Sequence, residues 1–343
     1  MGKPKITGAT IPYQLRPHKA IERNLFISLL KILDTSSNIN LKKYRYVGFG
    51  AAFLEDFKLL HLECGISNMD CIEIDFFAYS RQCFNNPYHF IKIYNISSTD
   101  YITGVEFKYD MSQIIWLDFA APKDLRQQLL DIELLVEKVN DLDILKFTFN
   151  CQISSFVKSN KIRCNDLDYD KIIAFLKGDP TYQVYLPDKI TTKDVMDNFS
   201  GLIRAMAIRA INRGLSKGNK YLNYNHISSF SYADGQHMTT LTGIITKEEG
   251  FNKILSESKL EEWEFYSKPS KNSEIILAHE ISVPAMTVSE RMEIDKKIHY
   301  LDVQALSKSL DFLYGTDADE HLQLIEGYHR YYKYLPYYSK VIY

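Results

Sequence analysis

The strongest constraint on this chain is a rhythm. Short apolar runs at Tyr44–Phe49, Asp70–Ile74, Phe90–Tyr94 and Ile114–Phe119 alternate with stretches of helical character. Strands spaced by helices imply parallel pairing through right-handed crossovers. The clearest helix follows the fourth strand, where Leu125, Leu129, Ile132, Val136 and Val139 recur at steps of three and four. A fifth strand is expected at Asp143–Asn150. Before the first strand, Lys19 to Leu33 reads as a helix dense enough in apolar residues to pack on a sheet. After the fifth come a helix near Asp170–Leu176, one long helix at Thr192–Leu215, and two β-rich runs flanking Ala233-Asp234-Gly235-Gln236. Those two runs form an antiparallel hairpin. From about Lys247 the pattern is mainly helical, with a strand-like piece at Glu274–Leu277.

The chain of 343 residues is 45% hydrophobic and 24% charged, which suits one large globular unit with extensions. The expected division is a helical segment at 1–43, an α/β domain at 44–250 and a mainly helical extension at 251–343. A net charge of −2 gives no global pull toward nucleic acid or membrane. No apolar run reaches the roughly 18–20 residues that span a bilayer, and the start has no apolar core of a signal peptide. A cytoplasmic protein without membrane contact is expected. Five cysteines without a C-x-x-C pair argue against a zinc site or a disulfide framework. Nine histidines show no metal spacing, so no metal is expected.

The first strand runs into Gly48-Phe49-Gly50, within YRYVGFGAAFLEDF. Glycine lets the backbone bend sharply and approach a ligand, and nicotinamide, flavin and S-adenosylmethionine folds all use such a turn. A dinucleotide loop carries a third glycine where the pyrophosphate meets a helix start. Here that place holds Phe53 or Leu54, which crowd a pyrophosphate, followed by Glu55 and Asp56, which repel it. A cofactor bearing an ammonium and a sulfonium tolerates such a loop better. Glu73 lies twenty-three residues past Gly50 at a strand end, where a carboxylate can accept both ribose hydroxyls of an adenosine. Asp75 competes for that role.

Five alternating strands followed by a hairpin, over about residues 15–250, resemble the class I S-adenosylmethionine-dependent methyltransferases. That resemblance implies a Rossmann-like α/β sheet, mostly parallel with a terminal antiparallel hairpin, helices on both faces and a helical C-terminal extension. It implies S-adenosylmethionine as cofactor. Gly48 and Gly50 then match the glycine loop facing the methionine part, and Glu73 the ribose-binding acid. Asn95, Ser97 and Ser98 of IYNISSTDY match the loop at the adenine. Asp118 of LDFAAP matches the acid ending the fourth strand near the transferable methyl. The chain departs from the family in lacking an acid before a G-x-G-x-G loop and in lacking the compact Asp/Asn-Pro-Pro-aromatic motif. LRPHKAIER, GFGAAFLEDF and YADGQHM resemble prokaryotic proteins loosely called O-methyltransferases, some encoded beside defence or mobile-element genes.

The expected function is methyl transfer to an acceptor that the sequence leaves open. The rival is a degenerate methyltransferase-like subunit of a prokaryotic complex, antiviral defence included. His237, just past the hairpin turn, is the candidate general base for a hydroxyl acceptor. Arg16 and Lys19 precede or open a helix where positive charge opposes the dipole, which suits gripping a carboxylate of cofactor or substrate. Residues 1–45 hold nine Lys/Arg against two Asp/Glu, and Arg209, Arg213 and Lys217 repeat at four-residue spacing, leaving room for RNA or DNA. Seven tyrosines in the last sixteen residues fit a protein interface or a homo-oligomer.

Overall fold

The computed structural model describes residues 15–104, 111–162, 168–218, 221–268 and 276–336. The alternation opens with α1 (Pro17–Leu33), β1 (Arg45–Gly48), α2 (Glu55–Cys64), β2 (Asn68–Ile72), α3 (Phe76–Asn85) and β3 (Ile91–Tyr94). It continues with α4 (Ser98–Gly104), β4 (Gln113–Phe119), α5 (Leu125–Val136) and β5 (Ile144–Asn150). All four pairings among these strands are parallel, in the order β3-β2-β1-β4-β5. Both faces are covered at the centre of the sheet, so β4 reads as a continuous apolar run, whereas the end strand β3 carries an exposed Lys92.

Four helices follow: α6 (Ile153–Ser159), α7 (Tyr169–Gly178), α8 (Pro180–Gln183) and α9 (Thr192–Lys217). The last is not the single helix that its sequence suggests. It breaks at Asn198, where φ −151° and ψ 57° leave the helical region, and the Asn198 side chain accepts the Gly201 N–H at 2.8 Å to start the helix again. The hairpin consists of β6 (Leu222–Ser228) and β7 (Phe230–Ala233), both antiparallel to β8 (His237–Lys247), which itself lies antiparallel to β5. A bulge between His226 and Ser228 offsets the register.

Beyond α10 (Gly250–Ser258), β9 (His279–Ile281) adds a parallel strand to β7. The strand expected at Glu274–Leu277 is therefore displaced: Ile276 and Leu277 are not extended ladder residues, and 274–275 lie outside the described residues. α11 (Val288–Asp295), α12 (Val303–Lys308) and α13 (Ala318–Tyr331) complete the chain.

Three apolar clusters hold these layers. One lies between the sheet, α5 and α9 and includes Val47, Leu117, Phe147, Leu129 and Met206. The opposite face packs Phe26 and Leu30 of α1 and Phe57 of α2 over Tyr46, Trp116 and Ile144. The third joins Ile21 and Leu25 of α1 to Phe230, Ile281, Tyr328 and Tyr331. Each fully buried side chain of this size contributes roughly 1.5–3 kcal/mol.

Candidate active site at the carboxyl edge of the sheet

Parallel α/β sheets bind ligands beyond the carboxyl ends of their strands. The register places Gly48 of β1 beside Cys71 of β2 and Trp116 of β4, so the Gly48-Phe49-Gly50 turn, Glu73 and Asp118 emerge from three neighbouring strands. A Cβ on Gly48 would stand 2.4 Å from the Tyr46 hydroxyl oxygen, and one on Gly50 2.7 Å from Cys71 Sγ. Glycine here lets the turn fold tightly against its own strand. Past it, Ala51 (φ 42°) and Leu54 (φ 52°) occupy the left-handed region, a strain that non-glycine residues hold where surrounding packing over-determines them.

The third-glycine question resolves at Leu54. Its side chain is fully buried and it stands directly before α2. Glu55 and Asp56 form the first turn of that helix, so its start carries no phosphate-binding glycine. The repulsion ascribed to Asp56 is blunted, because Asp56 Oδ1 lies 3.3 Å from Arg23 Nε.

Glu73 sits just past β2, partly buried. Its Oε1 accepts the Asp75 N–H at 2.9 Å and its Oε2 accepts Gln82 Nε2 at 3.3 Å. Asp75, the competitor, instead caps α3 by accepting the Ala78 N–H at 2.8 Å. Burial raises the Glu73 carboxyl above its ordinary value, against the pull of the Asp75 N–H. The Ile74 N–H adds a third donor, which still leaves a lone pair of the carboxylate open to a ribose hydroxyl. Asn95 donates to the carbonyls of Glu73 at 2.8 Å and Ile74 at 3.2 Å, which ties the β3 loop to the β2 loop. Ser97 turns to Asp100 at 2.6 Å and Ser98 to Asp131 at 2.6 Å, so both hydroxyls already have protein acceptors.

Asp118 does not stand free. Its Oδ2 is 2.9 Å from Arg23 Nη2 and 3.3 Å from Lys19 Nζ, both from α1. Burial works to raise the Asp118 carboxyl, but Lys19 and Arg23 overcome it and hold the group below its ordinary value. Arg23 is 1% exposed and also faces Glu22 at 3.3 Å, while Glu22 takes an ion pair from Lys146. Three cations (Lys19, Arg23, Lys146) thus meet three acids (Glu22, Asp56, Asp118) under the glycine turn. Neutral as a set, they suffer less from burial than any one alone. Sequence reading missed Arg23, Glu22, Asp56 and Lys146 as members. The available signal was Arg16, Lys19 and Arg23 at three- and four-residue steps on one helix face.

α1 is fastened over this edge at its start. Asp234, from the hairpin tip, accepts the Lys19 N–H at 2.7 Å and stands 3.0 Å from His18 Nδ1. His237, at the start of β8, lies beside the end of β5: its carbonyl accepts the Cys151 N–H at 2.8 Å, and its Nδ1 lies 3.3 Å from Cys151 Sγ. Burial lowers the His237 ring below its ordinary value and pushes the Cys151 thiol up to about 12. At neutral pH this pair is a neutral imidazole beside a protonated thiol.

The other expected features fall elsewhere. Arg209 pairs with Asp188 at 2.8 Å, Arg213 with Glu133 at 3.0 Å, and Lys217 with Glu133 as well, so acids answer the basic stripe. Tyr328 and Tyr331 are buried against the body, with their hydroxyls on Asp295 at 2.6 Å and the Glu280 carbonyl at 2.8 Å. Lys3, Lys5, Tyr337, Tyr338 and Tyr343 lie outside the described residues. Among the described residues no group of three or more His, Cys, Asp or Glu could hold a metal ion, and no helix is long and apolar enough to cross a membrane.

The sheet order, the five parallel strands and the antiparallel return define a Rossmann-like methyltransferase fold. More narrowly, residues 11–343 match the family described as "Putative O-methyltransferase", and the chain belongs to that family. S-adenosylmethionine, the cofactor read from the sequence, is the methyl donor that goes with this membership. No curated protein matches the chain. Among solved structures, Trm1 from Pyrococcus horikoshii in complex with S-adenosyl-L-methionine is 11% identical, over 95% of this chain and 79% of its own, at a TM-score of 0.44. The N-methyltransferase NodS from Bradyrhizobium japonicum WM9 is 10% identical over 66% and 96%, at 0.37. The O-methyltransferase TomG from Streptomyces achromogenes is 11% identical over 66% and 79%, at 0.35.

Proposed function

We propose that this chain transfers the methyl group of S-adenosylmethionine to an oxygen of its acceptor. The observation that carries the reading is Glu73, a carboxylate with a lone pair to spare beside the Gly48–Gly50 turn, in a chain of the O-methyltransferase family. Bound there, the cofactor supplies an electrophilic methyl on a sulfonium. Glu73 accepts a ribose hydroxyl. Asp118, kept ionised by Lys19 and Arg23, sets a fixed negative charge at the end of β4 and moves no proton. His237 is the group that takes the acceptor's proton: its ring is neutral at pH 7, and with Nδ1 against Cys151 its Nε2 is the remaining basic position. The rest of the work is positioning.

Isothermal titration with S-adenosylmethionine and S-adenosylhomocysteine tests the cofactor, and a well-folded sample that binds neither overturns the reading. Methyl-labelled cofactor offered with small-molecule, protein, RNA and DNA acceptors then tests transfer. His237→Ala is expected to keep cofactor binding and lose label.

A second reading, a methyltransferase-like binding subunit without turnover, is favoured by the engagement of Asp118 in two ion pairs. Tight cofactor binding with no labelled acceptor in any class, together with a stable heteromeric complex on pull-down, would support it.

A further inference from the structure

Helix α3 is inside out. Of its ten residues only Gln82, a polar one, is buried. Its outward side carries Phe76, Phe77 and Phe84, which are 61%, 78% and 92% exposed, and Ile74 just before the helix is 72% exposed. Phe77 and Phe84 lie two turns apart on one face, with Ser80 and Arg81 between them and Phe76 and Cys83 along one edge. The Phe76 ring is 6.1 Å from Phe77 and 6.3 Å from Tyr79, which joins the rings at the start of the helix. Arg81, exposed and between Phe77 and Phe84 along the helix, places one cation at the edge of the patch, with its guanidinium 5.8 Å from the Phe53 ring. Beside it runs β3, the end strand of the sheet among the described residues.

An exposed aromatic face of this kind marks an interface. At about 200 Å² for a whole phenylalanine side chain, the three rings expose roughly 450 Å², and Ile74 brings the patch to about 600 Å². Two such patches face to face remove roughly 1,000 Å² or more from water, the size at which specific association begins. A two-fold pairing makes one patch its own complement.

We propose that a second copy of this chain docks on α3 about a two-fold axis, with Phe77 and Phe84 of the two copies interleaved. The proposed interface lies on α3, while Tyr328 and Tyr331 of the carboxyl end are taken up by internal packing. The inner side of the same helix holds Glu73 through the Asp75 N–H and Gln82, so association steadies that carboxylate. The pairing itself stands whether or not Glu73 binds a ribose.

Sedimentation velocity of the full chain over a micromolar concentration series is expected to show a dimer. Phe77→Asp and Phe84→Asp, both at exposed positions, are expected to run as monomers with unchanged circular dichroism and a melting temperature that no longer rises with protein concentration. Cys83 is an exposed thiol within the patch, so copper–phenanthroline oxidation should link two copies of the wild type and fail with Cys83→Ser. A wild-type monomer throughout the series overturns the proposal, as does a dimer that survives both aspartate variants. Co-flotation of a monomeric wild type with phosphatidylcholine vesicles would reassign the face to lipid and overturn it equally.

Discussion

At the scale of single residues, the site is governed by which charges are answered and which are not. Arg23 serves Asp56, Asp118 and Glu22 together while almost wholly buried. Replacing it by methionine strands acids in a low-dielectric layer, and a loss of about 3–5 kcal/mol in urea unfolding is expected. Asp118 has its carboxyl held low, so its pairing contributes stability above the ordinary value near 3.8 and loses it as pH falls further. Asp143 has the opposite sign. Burial raises it to about 7 against the N–H groups of Asn140 and Gln113, so the folded state keeps a proton that the unfolded chain releases near 3.8. Stability should therefore fall between about pH 4 and pH 7, by a contribution on the order of 4 kcal/mol if the whole shift is realised. Urea titrations across that range should show a shallower decline for Asp143→Asn than for the wild type. Glu73→Ala is expected to weaken S-adenosylhomocysteine binding at least tenfold by calorimetry, a loss of about 1.4 kcal/mol or more, with melting temperature little changed.

At the scale of elements, α1 is an ordinary amphipathic helix put to an unusual use. Proline at its first position and Asp234 on its Lys19 N–H fix where it starts. Asp234→Ala removes that acceptor and the partner of His18, and about 1–2 kcal/mol should be lost, with faster amide exchange in residues 17–23. His18 has its ring raised, since Asp234 outweighs burial, so this contribution is complete below 6.5 and fades as pH climbs through the folded value. The elements differ in how far sequence discloses them. The five parallel strands were legible because each carries a short apolar run, nearly unbroken in β4, between stretches of helical period. β9 was not, because three residues in HEI carry too little pattern to fix a strand. The break in α9 was hidden because Asn198 competes with helix only through its own side chain. Glycine turn and Glu73 were legible as neighbours in a βαβ unit. The ionic cluster was not, since Arg23, Asp118 and Lys146 are brought together only by packing of α1 on the sheet.

At the scale of the whole molecule, the two ends of the chain close on each other across the hairpin. Protonated His18 donates Nε2–H to the Val283 carbonyl at 3.2 Å, Asn24 donates to the Tyr334 carbonyl at 2.8 Å, and Ile21 and Leu25 share a cluster with Tyr328. Tyr328→Phe, which loses the bond to Asp295, should cost about 1 kcal/mol in thermal unfolding and leave cofactor affinity unchanged. This closure also has a consequence in time. α1 leaves the ribosome roughly 300 residues ahead of the helix that covers it, a delay of tens of seconds at about 5–20 residues per second. Throughout that interval Ile21 and Leu25, on the helix bearing Lys19 and Arg23, lack the Tyr328 and Tyr331 rings that share their cluster. The nascent chain can thus assemble its parallel strands early, but α1 over the candidate site is not fully covered until α13 has emerged.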